Sequence, residues 1–337
     1  MQTISISRAT CAYELTAANL ESGGTPCETI VCIHGWMLSQ AYWQPLVAAL
    51  STDYHCLTYD LRGFGESVED AQCKKLDASG GSRYSLSAYA RDLEALLDRL
   101  NLDKVWLLGH SLGGSIALWA AYLFPERVRG VICVNAGGGI YIDKAFEKFR
   151  AAGQQMVKFR PGWLTRLPLL PQVFSRMMVK RPLGAQWGRQ RVWDFVRADR
   201  MAAEKALLES TTEQEVHQLP VLVGELAVPV HFITASEDAI MPPRYVRYLA
   251  SFHPQFVEGE TVTELADCGH MAMVEQPAAV ADVVRFVISQ ILAGPLSSIE
   301  QLSSTDMMHK DIVYEDTAHQ DTVHQDTAYK DIMHREN

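Results

Sequence analysis

The chain has 337 residues, enough for one large domain with an insertion or for two ordinary domains. Apolar residues make up 48% of it, so it can bury a sizeable core, and its formal net charge of -10 excludes nucleic-acid binding by the molecule as a whole. The seven cysteines form no C-x-x-C motif and several lie in apolar runs, which predicts reduced thiols and a cytoplasmic protein. The sequence has neither a signal-peptide pattern at its start nor an apolar stretch of about 18 residues that would span a membrane.

Short apolar runs alternate with helical patterns through the first 135 residues. Strands are predicted at residues 10–16, 28–33, 55–59, 105–109 and 129–135. Helices are predicted around residues 43–50, from Ser85 to Leu100 with Ser87 as its cap, and directly after Ser111. This alternation predicts an α/β fold, with a doubly wound and mostly parallel sheet that carries helices on both faces.

The rhythm of strands and helices stops between about Gly139 and Ala227. Apolar content stays high and aromatic residues are dense, but no strand pattern occurs. Four prolines, at 161, 168, 171 and 182, divide the segment into short helical pieces. We therefore predict that residues 141–227 form a helical cap inserted into the α/β core, whose first part is residues 1–140.

The strand pattern returns at residues 229–235 and 261–266, and a closing helix is predicted from about Pro277 to Leu292. Residues 228–294 are thus the second part of the core. From Asp311 onward a five-residue unit repeats, beginning DIVYE, DTAHQ and DTVHQ. A period of five matches neither a strand nor a helix, so residues 295–337 are predicted to be a disordered tail, and its histidines are interpreted as solvated rather than metal-binding.

The stretch Val105 to Gly114 predicts a catalytic serine. Gly109, Ser111 and Gly113 form a G-x-S-x-G motif at the junction of a predicted strand and helix. Such a turn lifts the serine hydroxyl clear of the sheet, and the helix N-terminus offers free N–H groups where negative charge would develop.

A serine nucleophile needs a base within hydrogen-bond reach and an acid that orients the base. Asp238 follows one predicted strand and His270 follows the last, so both reach the edge of the sheet that carries Ser111. Glu237 and Asp267 are alternative acids. The other two histidines in this part of the chain are interpreted as structural: His231, inside a strand, and His253, before a proline.

Five short motifs occur together in one order, and in combination they are specific. They are HGW at 34–36, DLRGFGES at 60–67, GHSLGG at 109–114, SEDAIMP at 236–242 and GH at 269–270. With them the sequence resembles the capped, single-chain esterase- and lipase-like members of the α/β-hydrolase superfamily across residues 1–294.

The resemblance implies a role for each matching residue. Ser111 would be the nucleophile, His270 the general base and Asp238 the acid, with backbone N–H groups of Trp36 and Leu112 as the oxyanion hole. It also implies that His34 and His110 support the site loops, and that Asp60 and Arg62 belong to a loop clamp made of a charge pair and two glycines.

A serine nucleophile points to acyl transfer, and the expected reaction is hydrolysis of a carboxylic ester, thioester or lactone. Carbon–carbon bond hydrolysis, a lyase step like that of menaquinone synthesis, and acyl transfer to another acceptor are alternatives on the same triad. A binding protein of the same fold is a third class. No dinucleotide loop or metal-ligand spacing occurs, so neither cofactor nor metal is expected.

The predicted cap carries an unusual charge. Residues 141–200 hold thirteen Lys or Arg and four acids, a net charge of +9 in a chain of -10. One interpretation is a solvated face that pairs with the acidic core. The other is a surface that attracts an anionic substrate, or that lies on an anionic membrane to collect a lipid-like acyl substrate. The sequence does not indicate the oligomeric state.

Overall fold

One mixed sheet runs through the molecule, in a computed structural model that describes residues 1–6, 9–19, 27–69, 82–137 and 143–293. Its strands are β1 (Gln2–Ile6), β2 (Ala9–Thr16), β3 (Thr29–Ile33), β4 (His55–Tyr59), β5 (Val68–Glu69), β6 (Val105–His110), β7 (Val128–Val134), β8 (Val230–Ala235) and β9 (Val262–Leu265). The first compact unit of the chain ends at Leu292. The predicted tail lies outside the described residues.

Eight strands follow the order β1-β2-β4-β3-β6-β7-β8-β9, and the short β5 pairs with β2. The pairs from β4 to β9 are all parallel, whereas β2 runs antiparallel to both β1 and β4. The central strands β6 and β8 are buried along their whole length, as expected for a sheet covered on both faces.

Helices cover the two faces of this sheet. They are α1 (Gln44–Leu50), α2 (Leu86–Leu100), α3 (Leu112–Leu123), α9 (Pro243–Ala250), α10 (Ala272–Glu275) and α11 (Pro277–Ala293). Side chains of α2, α3 and α9 belong to one apolar core, and those of α1, α10 and α11 to another. The doubly wound α/β architecture predicted from the sequence is confirmed.

The chain changes direction across the sheet between β3 and β6. From β3 it proceeds to β4 on one side, and it returns to place β6 on the other side of β3. In open α/β sheets the crevice at such a switch point, beyond the carboxyl ends of the strands, is where ligands bind. Trp36 follows β3 and Ser111 follows β6, so both residues lie at this crevice.

Between β7 and β8 the described residues, 143–229, contain helices and no strand. These are α4 (Asp143–Lys158), α5 (Leu170–Phe174), α6 (Ala185–Arg197), α7 (Arg200–Ser210) and α8 (Glu213–Gly224), with a 3₁₀ turn at Gly162–Arg166. We call residues 143–227 the cap. Its predicted boundaries stay a prediction, and α8 packs on α3 of the core.

Three arginines bind the carboxyl ends of the cap helices. A helix leaves its last carbonyl groups without partners inside the helix, and a guanidinium can satisfy several of them at once. The acceptors are Leu208 O and Thr211 O for Arg150, Phe195 O and Ala198 O for Arg160, and Phe174 O and Met177 O for Arg191. These side chains tie cap helices to one another through backbone carbonyl groups.

Two details differ from the sequence-based expectation. The N-cap of α2 is Ser85, whose hydroxyl accepts from the N–H of Ala88, so the prediction of Ser87 was wrong. The edge strand β1 was not predicted, because only Ile6 of its five side chains is buried. In the part of the chain that the structure describes, no helix is both long enough and apolar enough to cross a membrane.

Candidate active site

Ser111 sits at the sharp turn between β6 and α3. Its backbone has a φ of 52° and a ψ of -119°, a conformation that non-glycine residues rarely adopt. The N–H of Ser111 donates to Val134 O at 3.1 Å, which ties the turn to β7. Strained backbone of this kind is typical of functional turns, because the surrounding structure must hold it in place.

The flanking glycines are required by space. A Cβ at Gly113 would lie 2.1 Å from Ile33 O, and a Cβ at Gly109 would lie 2.3 Å from Gly113 O. Both contacts are with backbone, which cannot move aside as a flexible side chain can. β3, β6 and α3 therefore approach closely enough to form the turn only because these two positions lack side chains.

His270 and Asp238 are brought together at the same edge of the sheet. His270 Nδ1 lies 2.7 Å from Asp238 Oδ2, and both side chains are almost fully buried. Since the carboxylate accepts a hydrogen bond from Nδ1, that nitrogen carries the proton. Nε2 is then the basic nitrogen of the neutral ring.

The Asp238 carboxylate receives hydrogen bonds on both oxygens. Oδ1 accepts from the N–H groups of Ile240 and Met241, each at 2.9 Å, and Oδ2 also accepts from Asn135 Nδ2 at 2.7 Å. Burial alone would raise the pKa of this carboxyl, but the hydrogen bonds outweigh burial and hold the pKa below its usual value.

Asn135 is a site residue that the sequence analysis missed. It follows β7 with a φ of 48°, and its amide bridges Asp238 Oδ2 and Gly269 O, the latter at 3.1 Å. The available signal was a single polar side chain directly after an apolar strand, at the edge where the other site residues converge.

The alternative acids lie elsewhere. Glu237 and Asp267 are exposed, and each pairs with a cap cation, Lys180 at 3.3 Å and Arg181 at 3.5 Å respectively. Of the other histidines, His231 is buried in β8 against Thr263 Oγ1, and burial lowers its pKa to about 4. His253 Nε2 donates to Val228 O at 3.0 Å and, in the described part of the chain, makes no contact with Asp238.

His34 and His110 support the loops around the site. The N–H of Leu61 donates to His34 Nε2 at 2.9 Å, so Nδ1 carries the proton and donates to Gly35 O. His110 Nε2 donates to His270 O at 2.7 Å, and burial, followed by the neighbouring His270, lowers the pKa of His110 to about 3. Both rings are therefore neutral and support neighbouring loops: His34 supports the Trp36 loop, and His110 supports the His270 loop.

Trp36 and Leu112 lie on either side of the elbow. Leu112 is the first residue of α3, whose first N–H groups have no partner inside the helix. A Cβ at Gly35 would lie 3.2 Å from the Cβ of Ser111, so the loop before Trp36 touches the elbow. The Trp36 indole donates to Ala203 O of α7 at 2.8 Å, which ties this loop to the cap.

The cap also touches the His270 loop, through backbone. The N–H of His270 donates to Met178 O at 2.8 Å. The Glu275 carboxylate accepts from the N–H of Gly269 and from that of Lys180, at 3.1 and 2.8 Å. A Cβ at Gly269 would collide with backbone of Val179 and Lys180, so this close contact requires glycine. We call the contact between residues 178–180 and 269–275 the cap seam.

A second buried carboxylate lies between the cap and the turn after Trp36. Asp194 of α6 accepts from Ser39 Oγ at 3.1 Å and from Gln190 Nε2 at 3.1 Å. Burial raises the pKa of Asp194 to about 7, against the effect of these hydrogen bonds. The pKa of Asp194 is thus raised whereas that of Asp238 is lowered, although both side chains are almost fully buried.

Asp60 and Arg62 do form a loop clamp, but not as one charge pair. Asp60 accepts from the N–H groups of Gln40 and Glu66, at 2.7 and 2.8 Å. The ion-pair partner of Arg62 is Asp92 of α2, at 3.0 Å. The expected pairing within the motif is corrected accordingly, since the partner lies about 30 residues away in sequence, where motif spacing carries no signal.

In the described ranges, the structure gives little support to a cysteine nucleophile or to a metal site. Cys268 is adjacent to the site, and burial raises the pKa of its thiol to about 12, so it stays protonated. The six cysteines that the structure describes are free thiols. Among the described residues, no cluster of three or more His, Cys, Asp and Glu side chains is arranged to hold a metal ion.

Known proteins resemble the chain in sequence and in fold. It is 35% identical over 234 residues to a putative carbamate hydrolase, RutD, of Agrobacterium fabrum, a match that covers 67% of this chain and 81% of the relative. An esterase from Thermogutta terrifontis superposes with a TM-score of 0.66 at 23% identity, covering 86% of this chain and 99% of that one. A putative lipase from Acinetobacter baumannii gives 0.68 at 20%, covering 87% and 91%.

At these identities the two solved structures establish a common fold and nothing more about activity. The profile described as the alpha/beta hydrolase fold matches residues 28–277, which include every strand from β3 to β9 and each of the five motifs. With the strand order, the elbow at Ser111 and the helices on both faces of the sheet already described, the chain belongs to the alpha/beta hydrolase family.

Proposed function

We propose that the protein is a serine hydrolase that cleaves a carboxylic ester through an acyl-enzyme. The observation that carries the proposal is the buried 2.7 Å contact between His270 Nδ1 and Asp238 Oδ2, at the sheet edge that also carries the strained turn of Ser111. A histidine held in this tautomer is suited to remove a proton from a serine hydroxyl.

In the proposed reaction, Ser111 Oγ attacks the carbonyl carbon of the ester as its proton passes to His270 Nε2. Negative charge develops on the carbonyl oxygen, where the N–H groups of Trp36 and Leu112 would stabilise it. The bond to the alcohol oxygen then breaks, and that oxygen takes the proton from His270. Water, activated by the same histidine, hydrolyses the acyl-serine and restores the free enzyme.

Asp238 has a supporting role in this scheme. Its ionised form keeps the His270 proton on Nδ1 and stabilises the cation that forms when Nε2 is protonated. Four hydrogen-bond donors aim at its two oxygens, which leaves little room for a proton on the carboxylate. The names of the relatives, a carbamate hydrolase, an esterase and a lipase, also describe hydrolytic enzymes.

The direct test is labelling by a fluorophosphonate, which reacts with activated serines. We expect labelling at Ser111 in the unaltered chain, none in Ser111→Ala, and full labelling in Ser115→Ala, the next serine along α3. Hydrolysis of a short-chain nitrophenyl ester should follow the same pattern. Labelling at another serine, or ester turnover that survives Ser111→Ala, would contradict the proposal.

Trapping the intermediate distinguishes ester hydrolysis from carbon–carbon cleavage. In the unaltered chain, acid quenching during turnover of a nitrophenyl ester stops deacylation by water, so mass spectrometry should find the acyl group of the ester on the Ser111 peptide. Turnover of activated ketones with no acyl-serine from any ester in the panel would favour the alternative reaction class.

A further inference from the structure

One stretch of the cap combines many cations with exposed apolar side chains. Residues 148–193 contain ten Lys or Arg and no Asp or Glu. The same stretch exposes a run of large apolar side chains, and we call this set the cap patch. Its members and their exposed fractions are Met156 40%, Phe159 69%, Trp163 52%, Leu167 39%, Leu169 67% and Val173 54%.

The members of the cap patch lie close together along the chain. Its residues follow one another from the last turn of α4 through the 3₁₀ turn to α5, and both the 3₁₀ turn and α5 pack on α6. Single exposed apolar residues are ordinary on protein surfaces, but several of them close together mark an interaction site.

The cations of this region divide into groups with different partners. Lys180 and Arg181 pair with Glu237 and Asp267 of the core, and Arg197 pairs with Glu66. This is the charge pairing that one interpretation of the sequence predicted. Among the residues that the structure describes, however, a second group forms no ion pair and is exposed: Lys158, Arg166, Arg176 and Arg189.

Three of these four cations lie next to the apolar side chains of the cap patch in the chain. Lys158 and Arg166 are next to Phe159 and Leu167 in the chain, and Arg176 follows Val173 by three residues. Aromatic rings together with arginine and lysine are the side chains that favour the interface of an anionic bilayer, where rings enter the headgroup region and cations meet lipid charge.

A second copy of the chain fits the cap patch poorly. A symmetric dimer would place the same surface on both sides, so the exposed, unpaired cations of one copy would face those of the other. An anionic lipid surface provides the opposite charge and an apolar interior at the same place. We propose that the cap patch docks the protein on an anionic membrane surface.

The location of the cap patch gives docking a consequence for the site. Residues 178–180, which form the cap seam with His270, follow directly after α5 and Arg176. The segment that carries the cap patch is therefore continuous in the chain with the residues that touch the candidate base. The docking proposal itself does not depend on Ser111 or on any reaction.

The test measures binding of the full-length chain carrying Ser111→Ala, so that turnover cannot alter the lipid. Vesicles of phosphatidylcholine alone are compared with vesicles that also contain phosphatidylserine, by co-sedimentation. We expect binding to the anionic vesicles only, and a steep loss of binding as salt is raised, since screening shortens the reach of the charges to below about 10 Å.

Two sets of substitutions separate the apolar and the charged contributions. Replacing Phe159 and Trp163 by serine should weaken binding at least about tenfold. Lys158→Gln with Arg166→Gln should weaken it about 25-fold, since each cation near the surface contributes about fivefold. All four side chains are exposed, so the melting temperature should change little.

Matched controls come from the core. Phe286 of α11 is 59% exposed, and Phe286→Ser removes a comparable apolar side chain. Arg99→Gln with Lys104→Gln removes two exposed cations near α2. Neither control should change vesicle binding.

Four outcomes would overturn the proposal. They are equal binding to neutral and anionic vesicles, equal loss from the control substitutions, no binding at low salt, and a dimer in sedimentation velocity that the Phe159 and Trp163 substitutions dissociate. The last result would assign the cap patch to a second copy of the chain. A failure of fluorophosphonate labelling with normal vesicle binding would instead affect the proposed function alone.

Discussion

The core and the cap of this protein hold their functional residues in different ways. In the core, parallel strands and two glycines at the elbow bring backbone into direct contact, so the position of Ser111 follows from the path of the main chain. In the cap, buried and half-buried arginines reach the carbonyl groups at the end of another helix. Core geometry is therefore set by the absence of side chains at a few positions, and cap geometry by the presence of long ones.

The largest expected effect comes from the core carboxylate. Asp238→Asn should lower kcat by about 10⁴-fold, because an amide at this position favours the wrong tautomer of His270. Steady-state ester hydrolysis measures the loss. Asp267→Asn is the control, since that side chain is exposed and faces Arg181, and its kcat should stay within about twofold. Near-normal activity in Asp238→Asn would move the acid role to another carboxylate.

Substitutions at two glycines compare the packing of the core with that of the cap. Gly113→Ala should destabilise the fold by about 3 kcal/mol or more, because the new Cβ meets backbone of Ile33 and neither element can yield. Gly162→Ala, in the cap, places its Cβ where no atom lies within 4 Å, so its effect should stay within about 0.5 kcal/mol. Urea unfolding measures both, and a similar loss in the two variants would contradict the contrast.

The arginines of the cap allow a second matched comparison. Arg191→Gln removes the charged donor to the half-buried carbonyl groups of Phe174 and Met177, which should cost about 2–3 kcal/mol. Arg189→Gln, two residues earlier and exposed, should cost less than about 0.5 kcal/mol. The free energies of unfolding from denaturant titration decide this, and equal values would show that Arg191 does not hold the cap together.

The last comparison concerns the pH dependence of stability. The folded-state pKa of Asp194 is raised to about 7 from 3.8, so the folded protein holds a proton that the unfolded chain has released. The contribution of Asp194 to the free energy of unfolding therefore falls as pH rises from about 4 to about 7, by at most about 1.4 kcal/mol per pH unit. Asp194→Asn should flatten that decline, as seen in melting temperatures at about pH 5 and about pH 8. Parallel pH curves for the two proteins would refute it.

How much could be read from the sequence follows the same division. The strands β3, β4, β6, β7, β8 and β9 and the helices α1, α2, α3 and α11 appear as apolar runs and stripes, because burial on the sheet imposes a pattern on the chain. The motif spacing also placed Ser111, Asp238 and His270 at the ends of strands, although their catalytic roles stay predictions.

What could not be predicted depends on contacts between distant residues. Asn135 supports Asp238 across 103 residues, and Arg62 pairs with Asp92 rather than within its own motif. The helix α10 has only four residues, too few to show a period. In the cap, the number of charges is evident from the sequence, but which of them are buried is not. Arg150, Arg160 and Arg191 bind backbone carbonyl groups only because of what lies next to them after folding. Arg166 and Arg189 look the same in the sequence.

The cap seam has a consequence for exchanging caps between relatives. Its contacts with the His270 loop use main-chain atoms of residues 178–180, namely the carbonyl of Met178 and the N–H of Lys180, with Glu275 and Gly269 on the core side. A graft that keeps this backbone path, including the left-handed φ of 62° at Met178, keeps the contact whatever side chains it carries. Substrate-facing residues elsewhere in the cap are then free to diverge, so the seam is a natural splice point for chimeric enzymes.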